Sequence, residues 1–473
     1  VETQEMAPER AIWEAATSFA DQMAALGGYM AERVTDIHDV RARIVAELTG
    51  QQAPGIPVSD EPFILAAIDL APADTATLDP EKVIALITSD GGPQAHTAIL
   101  ARGLGLPAIV AAKGVTDIAD GTIVYIDSNE GIVDTEPTDA DREAAIKYAN
   151  RKPVADFDGK GVLADGTRVE LYANVGDGKS AEKAASLKAE GVGLLRTEFG
   201  FLGHDAEPSI ETQAKTYKSV FDAFPGKHIV VRTLDAGADK PLPFLNVNPE
   251  ENPALGVRGF RTDWTVPGVL TRQLEAIKLA SEDSDADIWV MAPMISTTSE
   301  ARNFANMLKE IGLPVHGVMV ETPAAVMNAE AILGEVDFVS IGTNDLTQYT
   351  MAADRLLGDL AHLNNPWQPA VLKMIKMTVE GAQRASVTAG KKKYVSVCGE
   401  AAADPALAVV LIGLGVDTLS MNAGAIPAVA AVLKSVTKEK AQQIAAIALQ
   451  QISSAEAKES ARKALPILDE LGL

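Results

Sequence analysis

Short apolar runs alternate with helix-prone segments from about residue 165 to the end of the chain. Runs of four to eight apolar residues are typical of parallel strands that are buried on both faces. Eight strands with intervening helices predict a (β/α)8 TIM barrel, whose functional residues gather at the carboxyl ends of the strands. The predicted strands are Val169–Val175, Gly193–Thr197, Ile229–Leu234, Ile288–Met294, Gly317–Val320, Val336–Ile341, Tyr394–Cys398 and Thr418–Met421.

The segments between these runs place apolar residues at helical spacing. An insertion, Leu202–Lys227, contains a helix of its own, Ile210–Phe224, and the tail Lys438–Leu473 is helical. The other predicted helices are Ala181–Glu190, Val269–Ser281, Ser299–Ile311, Ala324–Leu333, Pro369–Ala385, Pro405–Gly415 and Pro427–Val436.

A smaller α/β unit precedes the barrel. Its predicted strands are Phe63–Ala67, Val83–Thr88, Pro107–Val110, Thr122–Ile126 and Gly131–Asp134. Two helices, Glu9–Gly27 and Tyr29–Leu48, come before it, and a Gly/Pro-containing break separates them from it. We therefore expect four parts: helices over 1–52, the α/β unit over 53–136, a linker helix over 137–160 and the barrel over 161–473.

Composition excludes several classes of protein. The 473 residues are 47% hydrophobic and 22% charged, an ordinary globular balance. The net charge of −24 argues against a nucleic-acid binder. Cys398 is the only cysteine, so no intrachain disulfide can form, which favours a reducing cytosol. No apolar run reaches transmembrane length. A cytoplasmic protein is expected.

Two carboxylates follow neighbouring predicted strands. Glu321 comes after Gly317–Val320, and Asp345 comes after Val336–Ile341, so both face the same end of the sheet. Paired oxygen ligands at a strand end suit Mg²⁺ or Mn²⁺ together with a phosphorylated substrate. The alternative is that both residues belong to helix N-terminal caps, a position that Thr322-Pro323 and Asn344-Asp345 also fit.

Arginines are concentrated at the same strand ends, where a fork of N–H groups can bind carboxylate or phosphate. Any one of them alone is more often a surface residue, but several at one rim indicate a small anionic substrate. Cys398 ends a Val-rich strand and is either a buried core thiol or a general acid. The basic residues at or after the strand ends are Arg196, Arg232, Lys240, Arg258, Arg261 and Arg355.

One histidine, His96, lies where a Gly-rich loop enters an apolar helix, Ala98–Gly103. Backbone N–H groups at such a position favour an anion, and a histidine there can carry a phosphoryl group. The alternative is a histidine that only caps the helix or fills the core.

At these residues the chain resembles enzyme I of the bacterial sugar phosphotransferase system, the phosphoenolpyruvate–protein phosphotransferases. The similarity runs from about residue 60 to the end and more weakly through the opening helices. Seven motifs carry it, in the family's order: GGPQAHTAILAR (91–102), EGVGLLRTEF (190–199), VVRTLDAGADK (230–240), EENPALGVRGFR (250–261), GVMVETPAA (317–325), IGTNDLTQYT (341–350) and CGEAA (398–402).

The resemblance implies a role for each matching residue. His96 would be the phosphohistidine, with Thr88 beside it, and Glu321 and Asp345 would hold Mg²⁺. Cys398 would protonate the enolate carbon, with a pKa lowered by the nearby cation and arginines. The implied phosphoenolpyruvate-binding residues are Arg196, Arg232, Lys240, Arg258, Asn344, Asp345 and Arg355.

The resemblance also implies a reaction and partners. Phosphoryl would pass from phosphoenolpyruvate to the histidine of a swivelling domain and then to the phosphocarrier HPr, with a homodimer formed through the barrel. Pro93-Gln94-Ala95 stands where the family commonly has Arg-Thr-Ser, which bears on the hydrogen bonds around the histidine. About a hundred amino-terminal residues of the family are expected to be missing, so that 1–52 is a remnant of the helical HPr-binding domain.

Three alternatives share parts of this pattern. Pyruvate phosphate dikinase and phosphoenolpyruvate synthase share the swivelling domain and the barrel but need a nucleotide-binding domain upstream. A nitrogen-regulatory paralogue of enzyme I shares every residue named and normally adds a sensory domain. A non-catalytic scaffold that sequesters HPr would be indicated by the loss of a catalytic residue, and each implied residue is present.

Overall fold

The computed structural model divides the chain into two compact units, Val1–Asn150 and Arg151–Leu473. No helix among the described residues is long and apolar enough to cross a membrane. The structure describes residues 6–26, 34–50, 55–57, 59–70, 78–79, 82–90, 97, 101, 106–128, 131–149, 154–237, 242–245, 250–355, 357 and 360–473.

The first unit contains paired helices and a small sheet. Strands β1, β2 and β3 pair in that order and are parallel, whereas β4 and β5 form an antiparallel pair. The first two strands have the predicted bounds. The elements of this unit are α1 (Pro8–Leu26), α2 (Val34–Thr49), β1 (Phe63–Ala67), β2 (Val83–Thr88), β3 (Ala108–Ile109), β4 (Tyr125–Asp127), β5 (Ile132–Asp134) and α3 (Asp139–Ala149).

The second unit is a closed barrel of eight parallel strands, which confirms the predicted fold. Each strand pairs with the next one along the chain, and the last pairs with the first. The strands are β6 (Glu170–Val175), β7 (Gly191–Arg196), β8 (His228–Arg232), β9 (Asp287–Ala292), β10 (His316–Val320), β11 (Phe338–Gly342), β12 (Tyr394–Cys398) and β13 (Thr418–Met421).

Helices cover the outside of the barrel and follow its strands. They are α4 (Gly178–Ser186), α5 (Ile210–Phe221), α6 (Val269–Glu282), α7 (Thr298–Ile311), α8 (Pro323–Met327), α9 (Ala329–Glu335), α10 (Thr343–Met351), α11 (Pro369–Ala389), α12 (Glu400–Ala403), α13 (Pro405–Leu414), α14 (Ile426–Leu433), α15 (Lys438–Leu449), α16 (Ser454–Lys463) and α17 (Ile467–Leu471).

Local capping sets where several of these helices begin. Before α7, the Thr297 side chain accepts from the backbone N–H of Glu300, while Glu300 accepts in return from Thr297. Such a reciprocal pair satisfies N–H groups that a helix start leaves open. Gly312 closes α7 in the left-handed region. A similar pair, Asp177 with Ser180, starts α4 earlier than the predicted Ala181.

One predicted helix is wrong as a single element. The segment Ala324–Leu333 is split into α8 and α9, which meet at Asn328. The Asn328 side chain donates to the backbone oxygen of Ala324 at 3.0 Å. Asparagine side chains compete with the backbone in this way and interrupt helices. Two short helices therefore lie between Glu321 and β11, where one longer helix was predicted.

The barrel has two apolar layers. Outside, the strands pack on the helices in one continuous core. Inside, six buried side chains fill the lumen, so the barrel is a packed core and not a pore. They are Leu194, Val230, Met291, Met319, Phe338 and Cys398. Because all eight strands are parallel, their carboxyl ends form one rim above this layer.

Candidate active site

Neighbouring strand ends bring four of the predicted residues to the rim of the barrel. Arg196 ends β7 and Arg232 ends β8, and the two are register partners. Cys398 ends β12 opposite Gly342, the last residue of β11. Asn344 follows two residues after Gly342 in the first turn of α10. The register of the sheet thus sets their order around the rim.

Arg232 is buried between two carboxylates. One guanidinium nitrogen, Nη2, donates to Glu198 Oε1 at 2.9 Å, and Nη1 lies 3.1 Å from Asp235 Oδ2. Burial alone would lower the pKa of Arg232, but the charges of Glu198 and Asp235 outweigh burial and raise it. The side chain is therefore a fixed cation at the end of β8.

Arg258 joins two carboxylates from different strand ends. Its Nη2 donates to Asp235 Oδ2 at 3.0 Å, and its Nη1 donates to Asp345 Oδ1 at 3.0 Å. Arg355 reaches the other oxygen of Asp345, with an Nη1–Oδ2 distance of 3.4 Å. The structure thus brings Arg258, Asp345 and Arg355 together, as predicted from their positions after the strands.

Asp235 is a fixed anion at the centre of this group. Burial favours its protonated form, but the charges of Arg232 and then Arg258 outweigh burial and lower the pKa of its carboxyl. An ionised Asp235 holds both arginines side by side, which mutual repulsion would otherwise oppose.

Glu321 has a different environment from Asp235. Its Oε1 accepts from the backbone N–H of Met294 at 2.6 Å, whereas its Oε2 has no hydrogen-bond partner among the described residues. Burial, followed by the charges of Asp345 and Asp235, raises the pKa of Glu321 to about 8. Met294 itself lies in the left-handed region, with φ 60°, which is uncommon for a residue other than glycine.

These features fit a divalent cation. A buried carboxylate oxygen without a partner, next to a second carboxylate, is a ligand pair that Mg²⁺ can share with substrate oxygens and water. No group of three or more His, Cys, Asp or Glu side chains is arranged to hold a metal in the part of the chain that the structure describes. Glu321 and Asp345 would therefore need a substrate to complete the coordination.

Arg196 differs from the other arginines because no salt bridge joins it to any of the described residues. Burial, and next the charge of Arg232, lowers the pKa of its guanidinium. A partly buried cation beside a second cation favours binding of an anion, because the negative charge of the anion offsets the repulsion between the two cations.

The Cys398 thiol is buried and donates to the backbone oxygen of Ile341 at 3.6 Å. Burial raises the pKa of Cys398, and neither the Ser340 side chain nor the charge of Arg232 offsets it. The arginines alone therefore do not lower the thiol pKa, and the expected lowering by a bound cation stays a prediction. The residue is held as a neutral thiol, which can donate a proton but is a poor nucleophile.

Asn344 lies close to the backbone turn that follows Cys398. A Cβ atom built on Gly399 would meet Asn344 Oδ1 at 3.6 Å. Gly399 has φ 113°, a conformation that other residues rarely adopt.

In the first unit, Thr88 donates to the backbone oxygen of Asp90 at 2.8 Å. His96, Lys240 and Pro93-Gln94-Ala95 lie outside the described residues.

Sequence reasoning missed two functions at this rim. It gave no role to Asp235, which follows β8, or to Glu198, two residues after Arg196. A buried network below them was also missed: Gln273 Nε2 donates to Thr197 Oγ1 at 3.0 Å, and Thr197 donates to the backbone oxygen of Arg232 at 3.0 Å. The only available signal was the acidic residue inside the motif RTEF.

Comparisons with known proteins identify the family of the chain. Residues 155–438 match the family of PEP-utilising enzymes in its PEP-binding domain, and residues 59–131 match the mobile domain of the same enzymes. A phosphoenolpyruvate-protein phosphotransferase of Streptomyces coelicolor is 47% identical over 97% of this chain and 82% of its own length. One from Haloferax volcanii is 39% identical over 95% of this chain and 81% of its own length.

A solved structure is also similar in sequence. An NMR structure of an enzyme I protein is 35% identical, covers 28% of this chain and 54% of its own, and gives a TM-score of 0.23.

Proposed function

The chain belongs to the phosphoenolpyruvate-protein phosphotransferases, and on that premise we propose that it transfers phosphoryl from phosphoenolpyruvate to its own His96 and then to HPr. Phosphoenolpyruvate-dependent phosphotransfer follows from the family. The residues that perform it, the metal, HPr and the link to sugar uptake by group translocation are the proposal.

One observation supports the proposal most directly. Arg196, Arg232, Arg258 and Arg355 stand at one rim with Glu321, whose Oε2 has no partner among the described residues. A small substrate that carries both a carboxylate and a phosphate matches several arginine forks beside an open carboxylate oxygen. A surface salt-bridge cluster would not leave such an oxygen buried.

The transfer breaks one phosphorus–oxygen bond and forms one phosphorus–nitrogen bond. The bond between phosphorus and the enol oxygen of phosphoenolpyruvate breaks as a ring nitrogen of His96 bonds to phosphorus. The enol oxygen keeps the electron pair, so an enolate remains, and its carbon takes the proton of Cys398 to give pyruvate. Phosphoryl transfer depends on charge neutralisation and in-line positioning, which the arginines provide.

Glu321 and Asp345 would hold Mg²⁺, with Mn²⁺ as a substitute. When bound, this ion neutralises charge on the phosphate and enolate oxygens. Arg258 fixes Asp345 through the 3.0 Å contact, and the Met294 N–H orients Glu321 so that its second oxygen stays available. Asn344 and Lys240 are proposed as further contacts to the substrate.

Intact mass spectrometry tests the first half of the reaction. After phosphoenolpyruvate and Mg²⁺ are added, one phosphoryl group is expected on the chain. Peptide mapping at alkaline pH should find it on Ala95–Thr97, and His96→Ala should remove it. A label on His204, His228, His316 or His362 would contradict the assignment.

A pyruvate-release assay separates the related enzymes. Release is expected with phosphoenolpyruvate, Mg²⁺ and HPr, and no adenine nucleotide should be required. A requirement for a nucleotide as phosphoryl acceptor would indicate the chemistry of pyruvate phosphate dikinase or phosphoenolpyruvate synthase. Phosphorylation of the chain without any transfer to HPr would leave the first half-reaction intact and reject HPr as the acceptor.

We also propose an oligomeric state and a cellular location for the chain. We expect a cytoplasmic homodimer formed through the barrel, with phosphoenolpyruvate and Mg²⁺ strengthening it. The His96 domain has to visit both the barrel and HPr, so the linker is proposed to permit swivelling. A strictly monomeric chain in analytical ultracentrifugation, with ligand and metal present, would reject the dimer.

A further inference from the structure

Glu198 is a buried carboxylate that the resemblance gives no role. It lies in the 3₁₀ helix Thr197–Gly200, which begins immediately after Arg196, and its side chain is 2% exposed. A charged side chain at this depth is costly unless it is paired. Its partners therefore indicate why it is buried.

A single oxygen of Glu198 fixes the end of β8 in two ways. Oε1 accepts from Arg232 Nη2 at 2.9 Å and from the backbone N–H of Asp235 at 2.8 Å. The first contact sets the direction of the guanidinium, and the second sets the path of the three residues that follow it. Asp235 then completes the arrangement by contacting Arg232 Nη1 at 3.1 Å.

The contact between Glu198 and Arg232 does not use all of their polar atoms. Glu198 Oε2 and Arg232 Nε have no hydrogen-bond partner among the described residues. A pair that served stability alone would gain most from a bidentate contact, in which both oxygens and two guanidinium nitrogens are used. Glu198 instead uses one oxygen for the side chain and the backbone of the neighbouring strand end, which is an arrangement that fixes position.

We propose that Glu198 is a positioning residue, which holds Arg232 and the turn to Asp235 in the conformation that receives the anionic substrate. This inference rests on the proposed function, because it assumes that Arg232 contacts phosphoenolpyruvate. Glu198 acts through Arg232 and does not contact the reacting atoms.

The same strand supplies a matched control. Glu190 immediately precedes β7, and its side chain is 9% exposed. It pairs with Arg168 and accepts from the backbone N–H groups of Gly161 at 2.9 Å and Leu171 at 3.1 Å. Glu190 therefore makes the same kinds of contact at the opposite end of the barrel, away from the rim.

The experiment measures ligand affinity and thermal stability in the full chain. The probe is phospholactate with Mg²⁺, because it has the phosphate and carboxylate of the substrate but no double bond to react. Glu198→Ala should raise its Kd about tenfold or more, since contacts to charged groups are lost. Glu190→Ala should lower Tm by about as much as Glu198→Ala does and leave the Kd for phospholactate unchanged.

A conservative variant tests the geometry itself. Glu198→Gln keeps an oxygen that can accept from both N–H groups, so its Kd should stay within about threefold of wild type. If Glu198→Ala does not fold, Glu198→Asp replaces it: the side chain is one methylene shorter, cannot make both contacts, and should raise Kd.

Two results would overturn the inference. One is an unchanged Kd in Glu198→Ala or its Asp replacement. The other is an equal rise in Kd in Glu190→Ala. Binding of phospholactate by the wild type distinguishes failure of the positioning role from failure of the proposed function. If the wild type binds phospholactate and the Glu198 variants bind it equally well, only the positioning role fails. If the wild type does not bind it, the proposed function fails as well.

Discussion

Removal of Arg258 is the most informative perturbation of the rim, because its guanidinium connects Asp235 and Asp345. Both contacts are 3.0 Å, and the Arg258 side chain is 3% exposed. In Arg258→Met, the apolar stem is replaced at similar length, and the two carboxylates lose their shared cation. Removing one member of a buried ion pair costs about 3–5 kcal/mol, because the remaining charge stays buried.

The lower end of this range applies here. Asp235 keeps Arg232 at 3.1 Å, and Asp345 keeps Arg355 at 3.4 Å. A loss of about 3 kcal/mol in a unit of this size corresponds to a fall in Tm of roughly 4–6 °C. Arg258→Lys keeps the charge but not the fork, so it should recover part of the stability and little of the phospholactate affinity.

Circular dichroism melts at neutral pH provide the measurement. Arg302→Met is the control, because Arg302 pairs with Glu335 at 2.8 Å on the exposed surface and its loss should not shift Tm measurably. The reasoning is refuted if Arg258→Met and Arg302→Met melt alike, or if Arg258→Lys matches the wild type in both Tm and affinity.

Three further changes test other parts of the site and the fold. Glu321→Gln removes a carboxyl with an unpartnered oxygen, so Tm measured without divalent cation should not fall. The additional rise in Tm that Mg²⁺ gives together with phospholactate should disappear. If that rise persists in the variant, the metal assignment is wrong. Cys398→Ala should slow single-turnover pyruvate formation about 100-fold or more and leave phospholactate affinity unchanged, with Cys398→Ser intermediate at best; an unchanged rate would leave the thiol a structural role only. Burial, which Asp337 does not offset, lowers the pKa of His316 below its usual value. As pH falls below about 6.5, the unfolded chain binds a proton at His316 before the folded chain does, so the free energy of unfolding decreases. His316→Asn should therefore make Tm fall less steeply with falling pH. Identical slopes of Tm against pH in the variant and the wild type would refute this prediction.

The strands of the barrel could be predicted because burial on both faces leaves a continuous apolar run. The predicted bounds of Tyr394–Cys398 and Thr418–Met421 are those of β12 and β13. Once the strands are known, parallel pairing brings their ends to one rim, so the gathering of Arg196, Arg232 and Cys398 follows from topology alone.

The partners of each charge could not be predicted in the same way. Arg258 is 23 residues from Asp235 and 87 from Asp345 along the chain, and no local pattern encodes such pairs. The effect of burial on the Cys398 pKa was not visible in the sequence for the same reason. Sequence showed the neighbouring arginines, but the depth of burial that outweighs them is a property of the packed barrel.

The charges at the rim bear on why the site would need a cation. Arg232, Arg258 and Arg355 are already paired with carboxylates, so much of their positive charge is offset before any substrate enters. The paired carboxylates are Glu198, Asp235 and Asp345.

Phosphoenolpyruvate would bring a phosphate and a carboxylate close to these carboxylates, and repulsion from the ionised ones would oppose it. The raised pKa of Glu321, about 8, reflects the same crowding of negative charge. A divalent cation held by Glu321 and Asp345 would relieve both at once, since it would take the place of a proton on Glu321 and add positive charge beside the phosphate. On the proposed function, the carboxylates that hold the arginines in place would thus be the reason that a cation is needed beside them.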